Sequence, residues 1–281
     1  MRLQIIGDPV LHSKSPVIQG AMLAALGLDV EYTPHVVRRG ELPQYLTWAR
    51  ENGVTGFNAT MPHKEDLIPL LDKTDPAARA MGAVNTVCLR DGKWVGFNTD
   101  GAGAVAALKD SLGLDPAGLT VTLLGAGGAA KAAAPALSQA GAERVFVCNR
   151  TLGRAEALCA QDPLGRLSPA GFDPGTLRRM AERSQLLVNC TNLGMAGCPH
   201  QFEDFSFLDA LPDGAAVFDV IYHPARTQLL AQAEGRGLRT LNGLPMLVSQ
   251  AVLALEHFLN RPLDRKAMAA VAAGALGEAA L

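Results

Sequence analysis

Two residues in the first part of the chain have side chains suited to proton transfer. Lys64 follows a Thr-x-Pro turn in the stretch NATMPHKED (58–66), and Asp100 lies in NTDG (98–101). If the two side chains face each other, they form an acid–base pair. An ammonium held beside a carboxylate can give a ketone oxygen its proton while a hydride reaches the carbon. Without further information, a solvated lysine and a turn aspartate are the simpler interpretation.

A glycine pattern in the stretch LLGAGGAAKA has the spacing of a dinucleotide-binding turn. An apolar run ends at Leu124, and Gly125-x-Gly127-x-x-Ala130 follows and opens a helical run. In such a turn the first glycine makes the tight bend and the second lets the backbone approach a pyrophosphate. The small third residue allows the helix to pack closely on the sheet. The strand–turn–helix context favours cofactor binding over a merely structural turn.

The end of the next predicted strand indicates which dinucleotide is bound. An NAD site usually carries an acid about 20 residues after the glycines. This chain instead has Asn149, Arg150 and Thr151, followed by Arg154. Guanidinium groups suit a 2′-phosphate, so the cofactor is predicted to be NADP(H). A solvated side chain is the simpler interpretation for Arg154 alone, whereas Arg150 is assigned to the phosphate.

The stretch HSKSP (12–16) carries two hydroxyl side chains at the predicted start of a helix. Ser15 stands at the expected N-cap position before Pro16, and Ser13 lies two residues earlier. A pair of hydroxyls at a helix N-terminus can hold a small carboxylate, aided by the helix dipole. From this stretch alone, a plain N-cap is the simpler interpretation.

Short β-type runs alternate with helical runs, and this alternation predicts an α/β fold with a mostly parallel sheet. In the first part, strands are predicted at 3–7, 30–37 and 54–60, helices at 16–27 and 41–52, and a hairpin at 83–89 and 93–98. The Asp91-Gly92 pair between the hairpin arms is typical of a type I′ turn.

After Gly101 the pattern restarts as a new βαβ series that resembles a Rossmann-type domain. Strands are predicted at 119–124, 144–149, 184–190, 215–222 and 238–241, and helices at 99–113, 127–141, 153–160, 245–260 and 265–276. The last two helices have no strands to alternate with, so they are expected to return to the first domain. The predicted domains are therefore 1–101 plus 243–281 for substrate, and 102–242 for NADP.

Composition excludes several classes of function. Among the 281 residues, 25 Lys and Arg balance 27 Asp and Glu, so neither a nucleic-acid footprint nor a polybasic membrane patch is indicated. No apolar run reaches the roughly 18 residues of a membrane span, and a cytoplasmic protein is expected. The five cysteines are odd in number and lack C-x-x-C spacing, so neither a disulfide framework nor a metal site is predicted.

Nine motifs, in order along the chain, resemble those of the shikimate dehydrogenase family. They are HSKSP, NATMPHK, GAVNT, NTDG, GAGGAAKA, NRTLGRA, NCTNLGM, DVIYHP and NGLPMLVSQA. The resemblance covers essentially the whole chain. It implies an enzyme that reduces 3-dehydroshikimate to shikimate with NADPH, in the biosynthesis of chorismate and aromatic amino acids. It also implies a monomer or homodimer that acts on a small molecule.

The resemblance assigns roles to individual positions. Lys64 and Asp100 would form the catalytic pair. The substrate would be bound by Ser13, Ser15, Asn58, Thr60, Lys64, Asn85, Asp100, Tyr222 and Gln250. The cofactor would be bound by Gly125, Ala126, Gly127, Gly128, Ala129, Asn149, Arg150, Thr151, Arg154, Gly243 and Met246. No chemical role is assigned to His63 or Glu65. The chain departs from the family pattern at Ala59, His63, Asn242 and Pro245.

Three functions are compatible with these residues. The first is an NADP-dependent shikimate dehydrogenase. The second is a relative of the same fold that prefers quinate, which carries an extra hydroxyl, or an amino analogue. The site formed by Ser13 and Ser15 favours shikimate over quinate. The third is a non-catalytic regulator that binds such metabolites, and the presence of both Lys64 and Asp100 argues against it.

Overall fold

Two six-stranded sheets organise the chain in the computed structural model, which describes residues 1–277. The first unit comprises Met1–Thr99 together with the segment that begins at Val248, and the second unit is Asp100–Leu247. The predicted domain limits, 1–101 plus 243–281 and 102–242, lie a few residues from these. The last four residues of the predicted first domain lie outside the described part of the chain.

The sheet of the first unit has the strand order β2-β1-β3-β5-β6-β4. Its strands are β1 (Arg2–Gly7), β2 (Glu31–Val36), β3 (Val54–Ala59), β4 (Lys73–Thr74), β5 (Thr86–Arg90) and β6 (Lys93–Phe97). Strand β1 pairs in parallel with β2 and β3, whereas β5 runs antiparallel to both β3 and β6. The carboxyl ends of β1, β2 and β3 therefore lie at one edge, where Gly7, Val36 and Ala59 end their strands.

The predicted hairpin is confirmed. Asp91 and Gly92 both have positive φ, 49° and 74°, which is the conformation that a type I′ turn requires at its two central residues. The antiparallel pairing of β3 and β5 places Asn58 directly opposite Thr86. The turn sets the register of β5 against β6, and the separate pairing of β3 with β5 brings Asn58 and Thr86 together.

An aromatic core holds one face of this sheet. Phe57 on β3 packs edge-on against Tyr45, with ring centroids 5.2 Å apart, and against Trp94 at 5.5 Å. Tyr45 belongs to helix α2 (Leu42–Glu51), which ends before Gly53 at φ 72°. Edge-to-face pairs of this kind contribute about 0.5–1.5 kcal/mol beyond burial. The core therefore anchors β3, whose end carries the turn that leads to Lys64.

The C-terminal helices return to the first unit, as predicted. Helix α10 (Arg265–Leu276) packs on α1 (Ser15–Ala25). The buried amide of Gln19 on α1 donates to the carbonyl of Ala251, 2.9 Å away on α9 (Leu244–Leu259). These contacts tie the residues around Ala251 to the helix that follows Ser13.

The sheet of the second unit is parallel throughout, in the order β12-β11-β10-β7-β8-β9. Its strands are β7 (Thr120–Leu124), β8 (Arg144–Cys148), β9 (Leu167–Ala170), β10 (Leu186–Asn189), β11 (Ala216–Asp219) and β12 (Arg239–Leu241). Its helices are α4 (Asp100–Leu112), α5 (Gly128–Gln139), α6 (Leu152–Cys159), α7 (Pro174–Ala181) and α8 (Gln228–Glu234). The strand order reverses between β10 and β8, on either side of β7, and ligands of doubly wound sheets bind at such a switch point.

The sequence prediction omitted several short elements. Among them are β4, β9, α8, α7 and helix α3 (Pro76–Met81). Both α3 and α7 begin at the proline of an Asp-Pro pair, and Asp75 and Asp173 cap them by accepting from the amides of Ala78 and Thr176. An aspartate followed by proline is a helix-start signal that the sequence itself carries at both positions.

Three of the five cysteines are buried as small apolar side chains. Cys148 and Cys190 are buried, and burial raises the pKa of the Cys148 thiol to about 12. Within residues 1–277, no helix has the length and hydropathy needed to cross a membrane.

Candidate active site

The turn that carries Lys64 is held by backbone hydrogen bonds on both sides. The amide of Thr60 donates to Ile6 at 2.9 Å, and the amide of His63 donates to Thr60 at 3.0 Å. The carbonyl of Lys64 accepts from the amide of Val84 at 2.7 Å. The half-buried Lys64 therefore projects from a turn whose backbone is held by hydrogen bonds.

A buried polar network lies at the end of β3, just before this turn. The Tyr32 hydroxyl donates to Asn58 Oδ1 at 2.7 Å, and Asn58 Nδ2 donates to the Asn85 carbonyl and to Thr86 Oγ1. Asn85 Oδ1 in turn accepts from Thr86 Oγ1 and from the amide of Thr99. Burial raises the pKa of Tyr32 far above its usual value, so its hydroxyl stays protonated as a donor.

This network limits what Asn58 can offer a ligand. An asparagine amide has two N–H donors, and both are used by Asn85 and Thr86. The remaining capacity is one lone pair of Oδ1, because Tyr32 occupies the other. Asn58 therefore orders Tyr32 and Asn85 at the end of β3, whether or not it also accepts from a substrate hydroxyl.

The prediction that Ser15 is the N-cap of α1 is wrong by one residue. The helix starts at Ser15, and Lys14 stands at the N-cap position without a side-chain capping bond. The hydroxyl of Ser13 instead accepts from the amide of Ser15 at 3.2 Å. Pro16 occupies the first turn as expected, because it has no amide hydrogen to satisfy. Both serines still lie at the N-terminus of α1.

Three further residues predicted for the substrate lie on different elements. Asp100 is the first residue of α4 in the second unit, where a carboxylate interacts favourably with the helix dipole. Gln250 lies on α9 in the first unit, and Tyr222 follows β11 in the second unit with 46 % of its surface exposed. The pairing of Lys64 with Asp100 stays a prediction.

The glycine turn after β7 has the geometry that its sequence predicts. Gly125 has φ 105°, and a Cβ there would come within 3.1 Å of the Cys190 carbonyl, so another residue would be strained. Gly127 precedes α5, and Ala130 is buried against the sheet. At Gly127 and Gly128 a Cβ would meet no described atom within 4 Å. Neighbouring protein atoms therefore do not require glycine at these two positions, but the close approach of a ligand would.

The N-terminus of α5 fits a pyrophosphate. Its N-cap is Gly127, no side chain caps the helix, and no acid lies in its first turn. The first amides of a helix lack intrahelical partners and carry partial positive charge. Gly127, Gly128 and Ala129 would therefore bring a pyrophosphate against these amides, and the dinucleotide would supply a hydride to a reaction at its nicotinamide end.

A cavity of about 640 Å³ opens beside this turn within the second unit. Five of the predicted cofactor residues line it: Gly125, Ala126, Gly127, Asn149 and Arg150. The other predicted cofactor residues, Gly128, Ala129, Thr151, Arg154, Gly243 and Met246, are outside its lining. The cavity is large enough for a nucleotide-sized group.

Arg150 and Arg154 flank the start of α6. Asn149 Nδ2 donates to the Thr151 carbonyl at 2.8 Å, which fixes the bend after β8. Arg150 is exposed and lines the cavity, and Arg154 lies in the first turn of α6, which contains no acid. The guanidinium groups of Arg150 and Arg154 are charged donors that suit a phosphate.

Several residues that line the cavity were not predicted. They are Phe172, Pro174, Leu177, Cys190, Thr191, Asn192, Leu193, His200, Gln201, Phe202, Glu203, Asp204 and Phe207. Two of them, Glu203 and Asp204, are acids distant in sequence from the glycines. The hydrogen bonds from Ser206 lower the pKa of Asp204 and occupy both of its carboxylate oxygens. Only the NCTNLGM motif could have indicated part of this set, since the rest comes from the start of α7 and from segment 200–207, neither of which carries a motif.

A buried hydrogen-bond network supports the loop after β10. Asp219, which is 0 % exposed, accepts from Asn189 Nδ2 at 3.0 Å, Thr227 Oγ1 at 2.7 Å and the amide of Ile221 at 3.1 Å. Asn189 Oδ1 accepts from the hydroxyl of Thr191, which lines the cavity. Burial raises the pKa of Asp219, and these three donors partly oppose that effect. The network therefore joins the cavity wall to the start of α8.

Asp219→Asn should destabilise the protein by about 1–3 kcal/mol, because an amide nitrogen would face donors that need an acceptor. Urea unfolding measures the change. Asp209→Asn is the matched control, since Asp209 pairs with Arg236 at the surface and is 55 % exposed, and it should change stability little. Equal effects of the two substitutions would show that the buried network does not stabilise this region.

Gly243 is required by the fold itself. A Cβ at this position would overlap the Val220 carbonyl, and the Gly243 amide donates to Ile221 at 2.9 Å. The two nearby departures from the family pattern are accommodated. Asn242 Oδ1 accepts from the amide of Leu244, and Pro245 lies in the first turn of α9, where proline is tolerated.

Comparisons with known proteins agree with this arrangement. A family model described as the shikimate dehydrogenase substrate binding domain matches residues 5–87, and one described as shikimate/quinate 5-dehydrogenase matches residues 108–173. Shikimate dehydrogenase (NADP(+)) of Geobacter sulfurreducens is 43% identical over 258 residues, which cover 90% of this chain and 89% of that protein.

A shikimate dehydrogenase and a quinate dehydrogenase of known structure share the fold of this chain. Shikimate 5-dehydrogenase from Thermus thermophilus, in complex with NADP(H) and shikimate, is 36% identical with a TM-score of 0.82 over 98% of this chain and 99% of that one. Quinate dehydrogenase from Corynebacterium glutamicum, in complex with NAD, is 30% identical with a TM-score of 0.86 over 96% and 98%. With motifs, fold and near-complete coverage in agreement, this chain belongs to the shikimate dehydrogenase family.

Proposed function

We propose that this protein catalyses the reversible reduction of 3-dehydroshikimate to shikimate with NADPH. The observation that carries the proposal is the turn of Lys64, a half-buried lysine fixed by backbone bonds to Ile6, Thr60 and Val84 beside the Asn58–Asn85 network. This turn lies in the segment that matches the substrate-binding family model. The relatives that share the segment include NADP(+)-dependent shikimate dehydrogenases.

The substrate carboxylate would bind at the N-terminus of α1. Ser13 and Ser15 provide hydroxyl donors there, and the helix dipole favours an anion. Asn58, Thr60, Lys64, Asn85, Asp100, Tyr222 and Gln250 would position the ring and its hydroxyl groups. The buried Asn58 and Asn85 are held by neighbours, so their geometry needs little reorganisation when the substrate binds.

Lys64 and Asp100 would carry out the proton chemistry. NADPH, when bound, supplies the hydride that reaches the carbonyl carbon. Lys64 would donate a proton to the carbonyl oxygen, and the Asp100 carboxylate would hold the ammonium toward that oxygen. In the reverse direction the same lysine would accept the hydroxyl proton.

NADP is the preferred cofactor in this proposal. The end of β8 offers Asn149, Arg150 and Thr151 where an NAD enzyme would carry an acid. Arg150 lines the cavity beside the glycine turn. The first unit, with the C-terminal helices, would hold substrate, and the second unit would hold NADP.

A quinate dehydrogenase is the second candidate, because a quinate dehydrogenase shares this fold at 30% identity. The structure of that enzyme contains NAD, whereas Asn149 and Arg150 line the cavity of this chain, and Asn149-Arg150-Thr151 contains no acid. A metabolite-binding regulator without activity is not favoured, since relatives at 43% identity are dehydrogenases.

The test measures NADPH oxidation with 3-dehydroshikimate, 3-dehydroquinate and a 3-amino analogue. The purified protein should reduce 3-dehydroshikimate with the highest kcat/KM, and it should prefer NADPH to NADH. A higher kcat/KM for 3-dehydroquinate would replace the proposal with the quinate activity. Binding of shikimate without turnover of any substrate would support the regulator instead.

A further inference from the structure

His63, the residue before Lys64, is buried, whereas its other neighbours in the turn are not. His63 is 0 % exposed, but Met61, two residues earlier, is 73 % exposed, and Glu65 is exposed. The sequence assigned no role to His63. A histidine is costly to bury unless its ring nitrogens are satisfied, so its position needs an explanation.

The His63 ring makes one short hydrogen bond, to the segment that follows β2. Its Nε2 lies 2.7 Å from the carbonyl oxygen of Val37. A carbonyl can only accept, so Nε2 carries a proton and donates this bond. Nδ1 is buried and has no hydrogen-bond partner among residues 1–277 that the structure describes. The whole polar contribution of the side chain is therefore this single bond to Val37.

The segment that accepts this bond is itself fixed. Val37 is buried in the aromatic core around Phe57, and its amide donates to Gly7 at 3.2 Å. Gly7 ends β1, next to the amide of Asp8, which donates to Met61 at 3.0 Å. The His63 bond therefore ties the turn to a rigid edge of the sheet.

The backbone of Lys64 is consequently held from two directions. On its N-terminal side, the His63 side chain binds Val37, and the His63 carbonyl accepts from Leu67 at 3.1 Å. On its C-terminal side, the Lys64 carbonyl accepts from Val84, the residue before Asn85. These bonds set the position of the Lys64 Cα relative to the Asn85 network. A long flexible side chain can reach one point reproducibly only if its Cα is fixed.

We propose that His63 is a positioning residue that aims Lys64 at the reacting oxygen through its hydrogen bond to the Val37 carbonyl. The inference rests on the proposed function, in which Lys64 transfers the proton. Small displacements of a catalytic group cost rate rather than binding, and a misplacement of about 1 Å can cost on the order of a hundredfold. Loss of the bond should therefore lower kcat more than it raises the KM for 3-dehydroshikimate.

Two substitutions separate the hydrogen bond from the volume of the ring. His63→Leu fills the site without a donor, whereas His63→Gln keeps an amide N–H with a reach similar to that of Nε2. We expect His63→Leu to lower kcat by about tenfold or more, with less than a roughly threefold change in KM, and His63→Gln to restore most of kcat. If His63→Leu does not fold, His63→Asn serves in its place, because its shorter amide cannot reach Val37.

A control substitution tests whether the loss of any buried hydrogen bond in this unit lowers kcat. Tyr45 Oη donates to Gln4 Oε1 at 2.9 Å in the same unit, and Tyr45 has no proposed role in substrate binding. Tyr45→Phe should lower the melting temperature and leave kcat unchanged. An equal fall in kcat for Tyr45→Phe and His63→Leu would overturn the proposal, and so would equal activities of the leucine and glutamine variants.

A double mutant distinguishes this inference from the proposed function. In a Lys64→Ala background, His63→Leu should cause no further loss of kcat, because the lysine that it positions is absent. The same fold-loss in both backgrounds would overturn the role of His63 and leave that of Lys64 intact. Near-normal activity of Lys64→Ala alone would overturn the role of Lys64, and the inference with it.

Discussion

Replacing Lys64 with alanine should lower kcat by about 10²–10⁴-fold, with a smaller change in the KM for 3-dehydroshikimate. The half-buried lysine projects from a turn that Ile6, Thr60 and Val84 hold by backbone bonds. Truncation of the side chain leaves these backbone bonds in place, so the loss should come from the missing proton donor. Steady-state kinetics with purified protein measures kcat and KM separately.

Asp100→Asn should lower kcat in the same way, because the amide cannot hold the ammonium as a carboxylate does. If the two residues act as a unit, the double variant Lys64→Ala with Asp100→Asn should be little worse than either single variant. Multiplicative losses would mean that the two act independently.

Lys73→Ala is the matched control for Lys64→Ala. Lys73 lies on the short strand β4, is exposed, and has no proposed role, so its removal should leave kcat and KM unchanged. A Lys64→Ala enzyme with near-normal kcat would remove Lys64 from the proton transfer. Equal losses in both lysine variants would point to a general effect of charge instead.

Local patterns were sufficient to predict most of the elements that position the site. The type I′ hairpin and the glycine turn after β7 each depend on residues close together in the chain. Glycine at φ 105° and Asp-Gly at positive φ are the conformations that these sequences prefer. Such features do not need tertiary contacts to specify them, so the sequence alone predicts them.

The features that the sequence did not reveal depend on contacts between distant segments. The burial of His63 follows from its bond to Val37, 26 residues away, which no periodicity indicates. The start of α1 at Ser15 is an exception, because it involves a local bond: the Ser13 hydroxyl accepts from the Ser15 amide, although the same residues also permit a cap at Ser15. The acids Glu203 and Asp204 reach the cavity through an irregular loop. Spacing alone specifies none of these contacts.

Arg150→Ala should raise the KM for NADPH by about tenfold to a hundredfold while leaving the KM for NADH nearly unchanged. Charge-assisted hydrogen bonds are worth about 1.5–3 kcal/mol, and roughly 1.4 kcal/mol corresponds to tenfold in affinity. Arg150 is exposed, so at high salt, where screening weakens the ion pair, the increase in the KM for NADPH should be closer to about tenfold. NADH lacks the 2′-phosphate, so it has no such bond to lose.

The controls for Arg150 come from the strand that precedes it and the helix that follows it. Arg144 begins β8 at the end opposite the cavity and binds Ser168 Oγ at 3.0 Å, so Arg144→Ala should leave both KM values unchanged. Arg154→Ala should raise the KM for NADPH less than Arg150→Ala does, since Arg154 lies on α6 outside the cavity lining. The measurement is kcat/KM for NADPH and NADH in the parent and in each variant.

The two acids in the cavity lining, Glu203 and Asp204, do not change the expected preference for NADPH. Both carboxylate oxygens of Asp204 accept from Ser206, so its negative charge is stabilised by hydrogen bonds within its own loop. Glu203→Gln removes the other negative charge from the cavity lining, and it should therefore leave the KM for NADPH unchanged or lower it. If the parent uses NADH as well as NADPH, or if Arg150→Ala weakens both cofactors equally, then Arg150 does not recognise the phosphate, and the preference for NADP requires another explanation.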